Sequence, residues 1–166
     1  MLIILMRHGE AVPYQTNDQS RQLTDFGISQ SLSAGLRLAE LLKSRDVPSS
    51  VDKALVSPYI RAQQTFSAVR EHVKFEDITD TDAITPMSNL QSVHDIIDGY
   101  AQGSSPPAHL MLVTHMPLVS LLADKICHGF NGKIFDTADI LIIEYDPDTH
   151  TGSQVALLES VKKTTN

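Results

Sequence analysis

Residues 2–6, Leu-Ile-Ile-Leu-Met, form an unbroken apolar run that stops abruptly on Arg7, His8, Gly9 and Glu10. A run this short, rich in branched side chains and without polar alternation, reads as a strand buried on both faces. Such a strand must be covered by one layer above the sheet and another below it. That restricts the chain to α/β architectures with a mainly parallel sheet. It also delivers the ionisable residues behind it to one end of that sheet.

The remaining pattern supplies the layers. Thr24 is placed to cap a helix reaching about Ser44, with Ile28, Leu32, Leu36, Ala39 and Leu42 on one face. Leu36, Leu38, Leu41 and Leu42 read as core packing. Pro48, Ser49 and Ser50 mark a loop, Lys53 to Val56 a second short strand, and a helix is expected from near Tyr59 to about His72. Phe75 to Asn89 is mixed, with Pro86 excluding a long helix. Leu90 to Ala101 has helical spacing, His109 to His115 reads as a third strand, and Leu118 to Cys127 as a helix closed by Gly129. Residues 140–145 and 154–159 flank a turn and predict a hairpin. The expectation is one domain over residues 1–166: a three-layer α/β sandwich with a mainly parallel central sheet and an antiparallel edge strand or hairpin.

In open α/β sheets, functional groups gather at the carboxyl ends of the strands. Three strand ends here carry chemistry. The first ends in Arg7-His8-Gly9-Glu10, the second in Ser57-Pro58 with Arg61 one turn on, and the third in Thr114-His115. Guanidinium forks suit tetrahedral phosphoryl oxygens, and neutral imidazole is a nucleophile that needs no metal. Neighbouring arginines disfavour the imidazolium by like charge and keep the attacking lone pair free. Gly9 allows close backbone approach to a ligand, and the helix near Tyr59 could aim its first amides at the same anion. These residues together describe a phosphoryl pocket with a histidine at its floor.

Composition excludes other classes. The formal charge of −7 argues against non-specific nucleic-acid binding, which needs a basic face. No apolar stretch approaches the roughly 18 residues of a membrane span. The first six residues are too few for a secretory segment and carry no basic flank. The single cysteine, Cys127, precludes an internal disulfide and suits a reducing compartment, so a cytoplasmic protein is expected. Cys127 itself reads as a small buried apolar residue in a helix.

Three motifs carry a family resemblance. Arg7-His8-Gly9 directly after the first strand, Ser57-Pro58-Tyr59-Ile60-Arg61-Ala62-Gln63-Gln64-Thr65, and Val113-Thr114-His115 with Met116-Pro117 occur in the order found in the histidine phosphatase superfamily. Short length, Arg21-Gln22-Leu23-Thr24 and His115-Met116-Pro117-Leu118 resemble its SixA-type phosphohistidine phosphatases. The resemblance implies His8 as the nucleophile that transiently carries the phosphoryl group. It also implies Arg7, Arg21, Arg61 and His115 as ligands of its oxygens, inorganic phosphate as product, and no cofactor. The implied partner is a phosphohistidine-bearing protein such as a histidine phosphotransfer domain, with no nucleic acid and no membrane involved.

The middle region departs from the pattern. Larger members of the superfamily place an acid there; residues 77–89 offer Asp77, Asp80 and Asp82 but no glutamate, leaving Glu10 as a possible acid. A weak N–P bond needs little acid help, so the gap favours an N–P substrate over an ester. The region also lacks room for a capping insertion, and an uncapped pocket admits a side chain presented by another protein.

Blander readings stand beside these. Arg21 and Arg61 could pair with carboxylates at the surface, His115 could be a structural histidine, and Ser57 reads as a helix cap rather than a nucleophile. His72, His94, His109, His128 and His150 share no spacing and read as surface residues. His8, Glu10 and His115 could make three metal ligands, but adjacent arginines repel a cation, so no metal is expected. The functional alternatives are a small-molecule phosphomonoesterase of the same superfamily and a non-catalytic phosphohistidine-binding protein.

Overall fold

A computed structural model describes residues 1–14, 16–45 and 50–163. The expected loop at Pro48 and Ser49 lies outside them. The chain runs β1 (Leu2–Arg7), α1 (Asp25–Ser44), β2 (Ser50–Val56), α2 (Ile60–Val69), β3 (Lys74–Asp80), a 3₁₀ turn (Asp82–Ile84), α3 (Leu90–Ala101), β4 (His109–Thr114), α4 (Leu118–Ile126), β5 (Cys127–His128), β6 (Ile140–Asp146) and β7 (Thr151–Leu158). One sheet of order β3-β2-β4-β1-β6-β7-β5 contains every strand. β3, β2, β4 and β1 are mutually parallel, and β6 and β7 form the antiparallel hairpin.

β1 shows why its sequence has no polar alternation. Ile3 and Leu5 enter a core with Val93 and Ile97 of α3 and Leu118, Leu122 and Ile126 of α4. Leu2, Ile4 and Met6 point the other way, into a core with Ala34, Leu38 and Leu42 of α1 and Ala62, Phe66 and Val69 of α2. A period-two strand between two helical layers must be apolar on both faces. The three-layer sandwich is therefore present, with the hairpin beside β1 and the two-residue β5 completing the edge.

Several boundaries and faces differ from expectation. β3 falls in the segment read as mixed; it is an edge strand exposed along most of its length, so it lacks an apolar signature. Helix α1 begins at its expected cap, with Thr24 Oγ1 accepting from Gly27 N. Its buried face agrees only in part: Ala39 and Leu42 are buried as expected, but Ile28 and Leu36 are 40% and 47% exposed, while Ser31, Ala34, Gly35 and Leu38 are buried. The reason is close helix packing: a side chain at Gly35 would sit 2.9 Å from Val69 Cα of α2. Small residues form the contact and the bulky ones flank it. Cys127 is buried as expected, but in β5 rather than in a helix, and burial raises its thiol pKa.

Candidate active site

Strand register assembles the rim. Arg7 pairs with Thr114 and Val56 with Val113, so β1, β4 and β2 end side by side. The next residues continue the alignment: His8 N donates to Thr114 O at 3.0 Å, and Ser57 N donates to Val113 O at 3.1 Å. His8, Ser57 and His115 thus stand in adjacent positions, and Arg61 reaches them from the first turn of α2.

His8 is buried and its two ring nitrogens have distinct neighbours. Nδ1 lies 2.7 Å from Gly9 O, and Nε2 accepts from Arg61 Nε at 3.1 Å. A carbonyl facing Nδ1 and an N–H facing Nε2 select the neutral tautomer with its proton on Nδ1. Burial is the largest cause of a His8 pKa pushed down to about 3; the carbonyl of Gly9 opposes it, and Arg61, Arg7 and Arg21 add like-charge repulsion. Burial therefore outweighs the arginine repulsion expected from sequence. The outcome is an imidazole that stays neutral across the neutral pH range, with its Nε2 electron pair facing Arg61 Nε.

Each surrounding arginine is tethered by one main-chain carbonyl. Arg7 Nη1 donates to Phe135 O at 2.7 Å, Arg21 Nε to Val12 O at 2.9 Å, and Arg61 Nη1 to Asp18 O at 2.6 Å. Arg7 Nε is buried without a hydrogen-bond partner among the described residues. Arg21 and Arg61 share a further neighbour, the Asp18 carboxylate, which accepts from Arg21 Nη1 and from Arg61 Nη2, each at 2.9 Å. The bland reading of the two arginines, pairing with a carboxylate, is thus realised in part, yet Arg61 is buried against His8 at the same time.

His115 packs its ring 5.0 Å from that of His8 and 4.9 Å from that of Tyr59. Its Nε2 meets Ser57 Oγ at 2.7 Å, and its Nδ1 is buried without a partner among the described residues. Burial foremost, then the proximity of His8, Arg61 and Arg7, pushes its pKa down to about 2. Ser57 accordingly supports His115 rather than capping α2, whose N-cap is Tyr59 without a side-chain cap bond. The first α2 amide, Ile60 N, is taken by Gln19 O at 3.0 Å. This helix therefore contributes the Arg61 side chain, and its leading amide is not free for an anion.

Two further expectations change. The close backbone approach at Gly9 is to α1: a side chain there would meet Gly27 O at 2.5 Å. Glu10 turns away from His8, with Oε1 accepting from Thr24 Oγ1 at 2.8 Å and Lys163 Nζ at 2.7 Å. Lys163 above all, with help from Thr24, holds the Glu10 carboxyl below its ordinary pKa against the opposing effect of burial. Among the described residues no three His, Cys, Asp or Glu side chains are grouped to hold a metal ion. His94 and His109 are buried, not at the surface, whereas His72, His128 and His150 are exposed.

Sequence reasoning missed Asp18, Thr65 and Phe135. Thr65 Oγ1 accepts from Gly9 N at 2.9 Å and donates to Arg61 O at 2.7 Å, locking the His8 turn to α2. Thr65 stands one helical turn after Arg61, a spacing at which helix residues meet, whereas Asp18 lies in a loop, where its spacing to Arg21 carries no such signal. Phe135 acts through its carbonyl, which leaves no mark in a sequence.

A sheet whose carboxyl rim gathers three guanidinium groups around a neutral imidazole is an α/β arrangement suited to an oxyanion. Comparison with known proteins agrees. Residues 3–88 match the family model of the histidine phosphatase superfamily (branch 1). The chain is 32% identical over 149 residues to the phosphohistidine phosphatase SixA homolog of Haemophilus influenzae, covering 88% of this chain and 89% of that one. It is 28% identical to phosphohistidine phosphatase SixA of Escherichia coli, covering 88% and 86%. A solved structure of the protein histidine phosphatase SixA complexed with tungstate superposes with a TM-score of 0.81 at 26% identity, covering 96% of this chain and 97% of that one. The chain belongs to the histidine phosphatase superfamily. No helix among the described residues is long and apolar enough to cross a membrane.

Proposed function

We propose that this chain is a phosphohistidine phosphatase acting on proteins, with His8 as the residue that transiently carries the phosphoryl group. The observation that carries the reading is the pairing of the two His8 nitrogens, which leaves an electron pair on Nε2 in the midst of Arg7, Arg21 and Arg61. The names of the SixA relatives support the substrate class.

In the first step, Nε2 of His8 attacks phosphorus and the N–P bond of the substrate breaks. The electron pair of that bond returns to the departing imidazole, which leaves as a neutral ring when its distal nitrogen is already protonated. Arg61 Nε gives up its bond to Nε2 as phosphorus arrives, and Arg7, Arg21, Arg61 and His115 hold the phosphoryl oxygens. Charge-assisted bonds of this kind contribute about 1.5–3 kcal/mol each, and donors that tighten in the transition state lower the barrier. In the second step water attacks phosphorus, the new N–P bond breaks, its electrons return to Nε2, and inorganic phosphate leaves with both protons of the attacking water, one on the new hydroxyl and one on a phosphoryl oxygen. Glu10, ionised and engaged with Thr24 and Lys163, is ill placed to protonate an alkoxide. That supports an N–P substrate, whose leaving group needs no acid.

The proposal treats residues 1–166 as one catalytic domain in a cytoplasmic setting, without metal or organic cofactor. It is tested by mixing the protein with a labelled phosphohistidine protein in the presence of EDTA, quenching in alkali and mapping the label. Acid-labile phosphate on His8, and release of inorganic phosphate, is the expected result; label on another residue, or none, rejects the mechanism. Faster turnover of sugar or aryl phosphates in a parallel panel would favour the small-molecule phosphomonoesterase. Affinity for the phosphoprotein without any phosphate release by the unmodified chain would favour the binding protein.

A further inference from the structure

Asp18 lies in the loop between β1 and α1, whose base is closed by the pairing of Ala11 with Leu23. Its two carboxylate oxygens are divided between two arginines, Oδ1 on Arg21 Nη1 and Oδ2 on Arg61 Nη2. Two guanidinium groups bridged by the oxygens of one anion is the arrangement a phosphoryl group would itself seek. We propose that Asp18 is a built-in rival of the phosphoryl group for Arg21 and Arg61, and that it sets how tightly the site holds phosphate-sized oxyanions. The inference rests on the reading of these arginines as phosphate ligands and adds a residue that opposes them.

The division of donors supports an exchange. Arg61 keeps its place through Nη1 on Asp18 O, and Arg21 through Nε on Val12 O. These are main-chain tethers that survive any movement of the Asp18 side chain. The donors released by such a movement are Arg61 Nη2 and Arg21 Nη1, one from each guanidinium. The Asp18 side chain is 34% exposed, so rotation about its first side-chain bond can carry the carboxylate into solvent. Were it to stay, it would meet a phosphoryl dianion at close range as a like charge. Burial opposes its ionisation, but the hydrogen bonds from Arg21 and Arg61 prevail and keep the carboxyl below its ordinary pKa, so the rival anion is present at neutral pH. Such an anion weakens retention of free phosphate, the product, and reserves the site for ligands that bring additional binding contacts.

The test measures binding of inorganic phosphate by calorimetry at fixed ionic strength and pH 7, using the full chain and the variants Asp18→Asn, Asp18→Ala and Arg61→Ala. Removal of a like charge at contact distance is expected to tighten phosphate binding about fivefold or more in both Asp18 variants, with a lower KM for the phosphoryl substrate and stronger product inhibition. Either Asp18 variant suffices if the other fails to fold. Unchanged or weaker phosphate binding in the Asp18 variants, while Arg61→Ala loses it, overturns the proposal and makes Asp18 a residue that merely positions the arginines. Phosphate binding that survives in Arg61→Ala rejects the reading of the site itself.

Discussion

Two buried histidines at opposite ends of the strands meet opposite company. His8, at the carboxyl end of β1, touches a carbonyl and a guanidinium, and neither ring nitrogen meets a carboxylate. His94, on α3, lies near the other end of β1, where Tyr145 N donates to Met1 O. Its Nε2 is 2.9 Å from Tyr145 Oη and 3.0 Å from His150 O, and Tyr145 donates to Asp98, which also pairs with His150. Burial, followed by Asp98, pushes the Tyr145 pKa well above its ordinary value, so its proton stays in place. The Asp98 carboxyl is depressed in turn, because bonds from Tyr145 and His150 outweigh its burial. Burial alone therefore does not mark a reactive histidine. What separates the two is the sign of the surrounding charge: guanidinium groups around His8, the Asp98 carboxylate near His94. His94 joins Tyr145, Asp98 and His150 in one network, yet its Nδ1, like Arg7 Nε and His115 Nδ1 around His8, is buried without a partner among the described residues.

The contrast can be broken most directly by replacing each histidine. His8→Ala should cut turnover of a phosphohistidine protein by about 10⁴-fold or more, as expected when a nucleophile is removed. His94→Ala should leave turnover within about tenfold while lowering the denaturant midpoint; equal losses in the two variants would erase the distinction. Arg61→Ala follows, with kcat expected to fall about 10²- to 10³-fold, as for loss of one preorganised donor.

A pH series sharpens the comparison further. His8 and His115 have folded pKa values of about 3 and about 2, below the ordinary value of 6.5. The unfolded chain therefore binds more protons as pH falls below about 6.5, and both groups make the fold lose stability toward acid. His8→Asn should flatten the stability curve between pH 6 and 4 by about 1.4 kcal/mol per pH unit, read from urea unfolding at each pH. An unchanged slope would mean that His8 titrates normally. The smallest effect is expected from Tyr145→Phe: a loss of about 1–3 kcal/mol in unfolding free energy from unpaired buried groups, with kcat unchanged. A fall in kcat would show that the two ends communicate.

Much of this arrangement could be read from the sequence, because the groups on the rim each follow a strand with a strong apolar signature. β1 and β4 are fully sandwiched and announce themselves; their parallel register then places Arg7-His8 beside Thr114-His115. β3 was illegible because an exposed edge strand has no apolar stripe to detect. The α1 face was misread because hydrophobicity favours Leu36, whereas packing on α2 favours Gly35 and Ala34. Asp18 went unnoticed for a related reason: a polar loop has no period, so its contact with Arg61, 43 residues away, follows only from the three-dimensional path. His94 and His109 were misplaced because histidine spacing carries no information about burial.

The carbonyl tethers of the arginines carry a consequence for how the chain can change. Every amino acid brings the same oxygen to positions 12, 18 and 135, so the identity of a side chain there is no part of the anchor. Exchanging Val12 for another residue keeps its grip on Arg21, but shortening its loop by one residue takes the oxygen away. The aim of the positive charges is thus written in the lengths of the connecting segments rather than in their spelling.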